Sequence, residues 1–184
     1  MAAIQNTEIL FKLSVKTGSA GNSTGGTPAG SLGKYISTTQ LSGTALNNLF
    51  DDISGAENTA DTVDYRCFFV HNSNAANTLE NASVWLSGGD PAGGAIIAIA
   101  VDTTAASAIG SASAQALEAT TETAPGAPIT GLTYSTPTAA GSLSLGNIPA
   151  GQCKAVWVRR TANHSAAVSN ETVTFAVTGD TGAL

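Results

Sequence analysis

The sequence has few charged residues and few of the side chains that usually carry chemistry. Only 11% of its 184 residues are charged, against roughly 25% in ordinary soluble proteins. It contains two histidines, two cysteines and only seven lysines and arginines, and its formal net charge is -6. A protein that binds nucleic acid without regard to sequence needs a basic surface to displace counterions from the phosphates. The composition therefore argues against a nucleic-acid partner.

Long apolar runs are also missing from the chain. No stretch of roughly eighteen consecutive apolar residues occurs, which excludes an ordinary transmembrane helix and argues against a membrane partner. Residues 1–8 lack the basic and apolar regions of a secretory signal. We therefore expect the chain to mature in a reducing cytoplasm.

The motifs of common catalytic sites are incomplete. Residues 26–34 superficially resemble a phosphate-binding loop, but Pro28 stands where its first glycine belongs and Tyr35 where serine or threonine belongs. No Gly-x-Ser-x-Gly nucleophile motif occurs. Asp51 and Asp52 adjoin each other, and adjacent residues of a helix face different directions, so we interpret them as solvated charges.

Metal ligands are equally scarce. His71 and His164 are the only histidines, and a thiolate ligand would have to be Cys67 or Cys153, in spacings that fit no zinc site. We expect His71 to be a partly buried residue satisfied by the backbone. Asp90, in a glycine-rich turn, lacks the alternating carboxylates of a calcium loop. We therefore predict no enzyme, and no catalytic, cofactor-binding or metal-binding residues.

The sequence does contain a dense apolar segment at residues 65–72, bounded by turn-forming residues. If it is a strand, Tyr65, Cys67 and Phe69 point to one face, and Phe68 and Val70 point to the other. Both faces then carry apolar groups that must be buried. The pattern predicts a central strand covered on both sides.

Further short strands are predicted between turns that contain proline or glycine. Segment 81–87, which includes Trp85, is expected to be the neighbour of segment 65–72. Repeated short strands are typical of two packed antiparallel sheets. We therefore predict a mainly β single domain over residues 1–184, an antiparallel sandwich of immunoglobulin-like or jelly-roll-like type. The other predicted strands are 8–16, 95–101, 130–135, 141–145, 152–160 and 171–177.

One short helix is predicted over residues 44–53. Leu46, Leu49 and Phe50, followed by Ile53, recur at the spacing of three and four residues that forms an apolar stripe. Gly55 suits the left-handed residue that ends a helix. Such a short helix must pack its stripe on a sheet.

Two segments consist largely of small residues. Residues 17–33 belong to an N-terminal strand and arm, 1–33, and are almost wholly Gly, Ser, Thr, Ala and Asn, a composition that buries little apolar surface. Residues 102–127 are similarly rich in Ala, Ser and Thr. We predict that both are long loops, with 102–127 flexible or in contact with a partner.

The cysteines leave two interpretations open. Cys67, Trp85 and Cys153 are similar to the Cys-Trp-Cys arrangement of immunoglobulin domains, in which a disulfide joins the sheets. Free cysteine also packs well as a small apolar residue, and a reducing cytoplasm favours the thiols.

Five short segments serve as landmarks over roughly residues 46–177: Leu49-Phe50-Asp51-Asp52-Ile53-Ser54, Tyr65-Arg66-Cys67, Val70-His71-Asn72, Val84-Trp85-Leu86 and Val156-Trp157-Val158-Arg159-Arg160. Together they resemble a family of virion structural proteins from tailed bacteriophages. The resemblance implies a β-rich capsid decoration or cement protein, made in the host cytoplasm and placed on the capsid exterior. It implies the major capsid protein as partner, and we expect a homotrimer or homodimer.

An alternative is a tail or adhesion-type β-sandwich module that binds a host surface glycan. Such a module stacks exposed aromatic rings on sugars, and the candidates are Trp85, Trp157, Tyr35 and Tyr134. Both tryptophans lie in the middle of predicted strands, where core packing explains them equally well.

Overall fold

The computed structural model describes residues 3–18, 24–89, 93–165 and 171–182. Nine strands and two short α-helices occur in this part of the chain. The strands are Ile9–Val15 (β1), Tyr35–Gln40 (β2), Val63–Asn72 (β3), Leu79–Gly88 (β4), Ile96–Val101 (β5), Ser107–Ala108 (β6), Leu143–Ile148 (β7), Gln152–Thr161 (β8) and Thr174–Thr181 (β9), and the helices are Gly55–Thr59 (α1) and Ala127–Thr130 (α2).

Two antiparallel sheets pack against each other, which confirms the predicted mainly β sandwich. The larger sheet has the order β2-β1-β3-β8-β5, with the short β6 also pairing β8, and the smaller sheet has the order β7-β4-β9. The two sheets have six and three strands, whereas the sheets of an immunoglobulin constant domain have four and three. The expectation that 81–87 pairs with 65–72 was wrong, because β1 and β8 occupy both sides of β3 and place β4 in the other sheet.

Strand β3 is the central strand that the sequence predicts. Phe68 and Val70 lie in the core between the sheets, whereas Tyr65, Cys67 and Phe69 lie on the opposite face of the larger sheet. Every residue of β3 from Asp64 to Asn72 is buried. Alternation in a strand with large apolar residues on both sides therefore forces a covering layer on each face.

The core between the sheets is built from aliphatic residues around a group of phenylalanines. The Phe68 ring centre lies 4.8 Å from that of Phe175 in β9 and 5.7 Å from that of Phe11 in β1. Phe68 is fully buried, and burial of such a side chain contributes about 1.5 to 3 kcal/mol, whereas Phe11 and Phe175 are partly buried and contribute less. The aromatic contacts thus join three strands from distant parts of the chain.

A third, irregular layer covers the outer face of the larger sheet. Ala116, Ala119 and Ile129 pack there against Tyr65 and Trp157. Segment 102–127 therefore lies on the chain's own sheet, and any partner contact that it makes comes from its outward side and stays a prediction.

The described end of the small-residue arm, 24–33, is also held on the fold. The Ser31 carbonyl accepts a hydrogen bond from Cys67 N (2.8 Å), and Gly33 N donates to Ser14 Oγ (2.8 Å). Backbone hydrogen bonds thus anchor a segment that has little apolar surface of its own.

The helix predicted over 44–53 was wrong. Asn47 has a left-handed φ of 53°, and Leu46 is 64% exposed, although Leu49 is buried. The helix nearby is α1, where Ser54 and Glu57 form a capping box, so Gly55 begins a helix instead of ending one.

Two arginines explain why residues 44–53 form a loop. The Phe50 ring contacts the guanidinium groups of both Arg66 (5.5 Å from the ring centre) and Arg160 (4.7 Å). Arg160 also binds the Asp51 carboxylate at 3.0 Å. Cation–π contacts and an ion pair to residues distant in sequence outweigh the weak preference of a short helix.

The strand predicted over 130–135 was also largely wrong. The short helix α2 has a proline in its first turn, where proline is tolerated. Only Ser135 pairs as in a strand, through two hydrogen bonds of 2.8 and 3.0 Å with Ile99 of β5.

Candidate functional site

The buried arginines are engaged within the fold. Arg160 binds Asp64, its cross-strand partner, at 2.8 Å, and Arg66 pairs with Glu122 of the third layer. Arg159 and Arg160 leave β8 on opposite faces, as predicted, and Arg159 lies 5.0 Å from the centre of the Tyr134 ring. These cations therefore stabilise loops against the larger sheet.

A buried carboxylate fastens the third layer to the larger sheet. Asp102 is 1% exposed, and its Oδ2 accepts hydrogen bonds from Trp157 Nε1 (2.7 Å) and Leu117 N (2.9 Å). Its Oδ1 accepts from Thr104 N (2.7 Å). Three donors of this kind satisfy a buried charge and fix the loop that follows β5.

Lys154 completes this buried polar group. Its Nζ donates to the Asp102 carbonyl (2.7 Å) and to the Thr104 carbonyl. Burial lowers the pKa of Lys154, and the nearby Asp102 charge partly offsets this effect. These hydrogen bonds hold the loop that follows β5 against β8, so the group has a structural role.

The two cysteines are free and buried, so the disulfide interpretation was wrong. Cys67 pairs with Trp157 and Cys153 pairs with His71, which places the thiols on adjacent strands of one sheet, about 13 Å apart along the strand direction. Cα atoms more than about 7 Å apart cannot be bridged. Burial raises the pKa of both thiols, that of Cys153 to about 12, so neither is a ready nucleophile.

The histidines lie in different places. His71 is buried, its Nδ1 has no hydrogen-bond partner among the described residues, and the expected satisfaction of this nitrogen was wrong. Burial, and then the Lys12 charge, lowers the pKa of His71 to about 4. His164 Nε2 lies 2.9 Å from Glu171 Oε2. No three His, Cys, Asp or Glu side chains of the described ranges are grouped as metal ligands, and Asp90 lies outside those ranges.

The segment that resembles a phosphate loop packs against the third layer. Lys34 Nζ lies 3.0 Å from Glu118, and Lys34 N donates to the Leu117 carbonyl at 3.0 Å. Gly33 has a φ of 86°, and a Cβ there would lie 2.0 Å from the Leu117 carbonyl oxygen. This glycine therefore allows two backbones to approach closely.

Two surface clefts measure about 110 and 150 Å³. Both are smaller than the roughly 300 to 1,000 Å³ of a small-molecule site. Among the described residues, no helix has the length and apolar character needed to cross a bilayer.

The outer face of the smaller sheet offers a contact surface instead. Val84 and Leu86 face the core, so Trp85 between them points outward, and Thr178 and Ala176 of β9 stand opposite Ser83 and Trp85. We call this surface the open face; its members are Ser83, Trp85, Ser87, Ser144, Ala176 and Thr178.

The charge of the open face is concentrated at one end. Glu80 and Asp180 are cross-strand partners there, and Asn81 Nδ2 donates to Asp180 Oδ2 at 3.3 Å. The rest of the face presents small uncharged side chains around one indole ring.

The four aromatic residues proposed for sugar stacking differ in exposure. Trp157 is completely buried, and the hydroxyl of Tyr134 is buried beside Tyr65. Tyr35 donates to the Ala112 carbonyl at 3.3 Å, and Lys34 lies near its ring. Trp85 is half-buried on the open face, so it is the ring best placed to meet a ligand or partner.

Sequence reasoning did not identify Asp102 or the open face. An aspartate directly after a buried strand and two residues before Thr104 was a usable signal, because Asp often accepts a hydrogen bond from the backbone two residues on. Nothing in the sequence indicates that the second carboxylate oxygen meets Trp157. A comparison with known proteins finds no matching family model, no matching curated protein and no matching solved structure.

Proposed function

We propose that this chain is a non-enzymatic structural protein of a tailed-phage particle, a decoration or cement protein that binds the assembled head. The observation that carries the proposal is the open face, a sheet surface of small, mostly uncharged side chains with Trp85 at its centre. Such side chains lose little entropy and little hydration when they are covered. The surface is thus suited to contact over area.

The position of Trp85 adds to this argument. Interfaces are anchored by a few large residues, tryptophan prominent among them, surrounded by contacts of small individual value. A decoration protein adds such contacts across the seams of the shell, with the major capsid protein as partner and the capsid exterior as location. A homodimer or homotrimer would multiply weak contacts through effective concentration.

The first test of the proposal is the copy number of the chain in purified virions. Mass spectrometry of purified virions should find the chain at a copy number comparable to that of the major shell protein. A scarce chain, or one confined to tails, contradicts the decoration role.

Binding to heads that lack the chain tests the surface itself. Trp85→Ala should weaken co-sedimentation with heads at least tenfold and should lower their resistance to heat. Leu46→Ala is the matched control, because Leu46 is an exposed apolar residue of a different surface. Equal binding by Trp85→Ala and wild type would exclude the open face.

The arm needs a milder variant than its complete removal. Deleting residues 18–33 would remove Ser31 and Gly33, which are buried and bonded to the sheets, so loss of binding would only report unfolding. Exposed arm residues such as Ala29 can be changed to Lys without this loss. Unaltered head binding by Ala29→Lys would leave the arm without a role in particle contact.

A tail or adhesion module that binds a glycan is the second candidate, and the half-buried, outward-pointing Trp85 favours it. Addition of host surface polysaccharide should then change the fluorescence of Trp85 in a Trp157→Phe variant. A change in this signal, together with a low copy number in virions, would support the adhesion role over the decoration role.

A further inference from the structure

The two sheets present four edges in the described part of the chain, and the two edges of the larger sheet are blocked. Thr38 N donates to the Thr24 carbonyl at 2.9 Å on the free side of β2, and β2 contains two extra residues relative to β1. Ser135 pairs with Ile99 on the free side of β5. Bulges and covering loops of this kind prevent further strand pairing.

The two edges of the smaller sheet differ from each other. Strand β7 is irregular, because its register with β4 shifts around Gly146, which has a φ of 73°. Strand β9 runs regularly from Thr174 to Thr181, since both register shifts between β4 and β9 come from extra residues of β4. Ile4 N donates to Thr181 Oγ1 at 3.0 Å, so the segment before β1 lies beside the C-terminal end of this strand. Apart from the pairing with β4, no backbone–backbone hydrogen bond of the described residues reaches Thr174 to Asp180.

The side chains of β9 also lack the usual protection of an edge. The strand has no proline, lysine or arginine, and Asp180 is its only charged residue. Phe175 and Val177 face the core but are only half-buried, and Val177 helps to line the cleft of about 110 Å³. An unprotected regular edge with half-covered apolar residues is a template for another strand.

We propose that β9 pairs in antiparallel fashion with β9 of a second copy of this chain, around a twofold axis near Val177, to form a continuous six-stranded sheet. The inference deepens the proposed function, because it selects a homodimer over a homotrimer and names the interface. The dimer is tested on the isolated chain. Dimerisation can therefore be absent in a chain that binds heads, and present in a chain that does not.

The strand is complementary to itself in this register. Phe175 of each copy stands opposite the glycine at position 179 of the other, so two large side chains do not meet on the inner side of the pair. Asp180 stands opposite Thr174, so the two carboxylates do not face each other. Twofold pairing of identical surfaces is also the commonest symmetry of protein oligomers.

The size of the contact sets the expected affinity. Eight residues extend about 27 Å and form about eight backbone hydrogen bonds across the pair. One pair of strands with its flanking side chains falls at the small end of stable interfaces. We therefore expect a dissociation constant between about 1 and 100 μM.

Analytical ultracentrifugation of the purified chain tests the proposal. Wild type should show a monomer–dimer equilibrium, and Thr178→Lys should weaken it at least tenfold, because two added ammonium groups then lie close together across the axis. Ser144→Lys on β7 is the matched control, an exposed position of the same face at the opposite edge. This control should dimerise as wild type does.

Hydrogen exchange of wild type provides a measurement that needs no variant. Amides of β9 should become more protected as the concentration rises through the dissociation constant, whereas amides of β7 should not change. A wild type that stays monomeric to 100 μM, a trimer, or a dimer that Thr178→Lys leaves intact would each overturn the proposal.

Discussion

The larger sheet covers its outer face with residues 102–135, whereas the smaller sheet leaves its open face and β9 to the solvent. The first surface contains Asp102, Lys154 and Trp157, all buried and joined by hydrogen bonds. The second contains small side chains and a half-buried Trp85. The difference separates two roles: polar groups under the third layer maintain the fold, and the uncovered sheet is available for contact.

The largest expected effect comes from the buried carboxylate. Asp102→Ala should lower the free energy of unfolding by about 3 to 5 kcal/mol, because it leaves the buried Trp157 Nε1 and two partly buried backbone amides without their acceptor. Asp180→Ala, at the exposed end of the open face, should change it by less than about 0.5 kcal/mol. Urea unfolding of both variants measures the contrast, and equal losses would remove the distinction between the faces.

Gly33 and Gly146 both have a positive φ but differ in how closely other atoms approach them, so they allow a test of close packing. Gly33→Ala should cost about 3 kcal/mol, since the new methyl group would meet the Leu117 carbonyl in addition to the strain of a positive φ. Gly146→Ala has a similar φ but open space around it, and should cost about 1 to 2 kcal/mol. Thermal unfolding of the pair measures how tightly the third layer packs; a Gly33 variant no worse than the Gly146 variant would show loose packing.

His71 makes the stability of the covered side depend on pH. Its pKa is about 4 in the folded chain and near 6.5 when unfolded, so the unfolded chain binds the proton first. Stability should therefore fall as the pH drops from about 6.5 toward 4, and His71→Gln should reduce this fall. Denaturant titrations between pH 6.5 and 5.5 stay above the range in which the carboxylates of the unfolded chain, such as Glu8 and Glu57, begin to protonate. An unchanged slope in the variant would contradict the burial of His71.

The smallest effect on stability is expected from Trp85→Phe, and tryptophan fluorescence compares the access of solvent to the two faces. Trp157→Phe should cost more stability, because it leaves Asp102 Oδ2 without the indole donor. With Trp157→Phe, the remaining Trp85 should be quenched by acrylamide, whereas with Trp85→Phe the remaining Trp157 should resist quenching. Trp85→Phe should also leave the melting temperature nearly unchanged. Similar quenching of both rings would mean that the two outer faces do not differ in access to solvent.

Strong alternation made much of the fold predictable from the sequence. Residues 65–72 placed large apolar groups on both faces, and the structure covers both. The positions of β1, β5 and β8 follow from the same pattern. The pairing of the strands could not be predicted in the same way. Alternation indicates which face of a strand is buried, but it does not indicate which strands are its neighbours in the sheet.

The missed features depend on contacts between residues far apart in sequence. Phe50 contacts both Arg66 and Arg160, which no local pattern indicates, and these contacts replaced the predicted helix. The capping box of Ser54 and Glu57 was a local signal that correctly marks the start of α1. The open face depends on which sheet the third layer covers, and the free edge depends on the position of β9 in its sheet; both are properties of the whole topology.

The central strands of the larger sheet have a consequence for how the chain acquires its fold. Partners in β3 and β8 lie roughly 80 to 100 positions apart along the chain, and pairings this distant make folding slow. The middle of the sheet cannot close until β8 has left the ribosome. We therefore expect folding after translation, on a timescale of milliseconds to seconds, with the phenylalanine core assembling late.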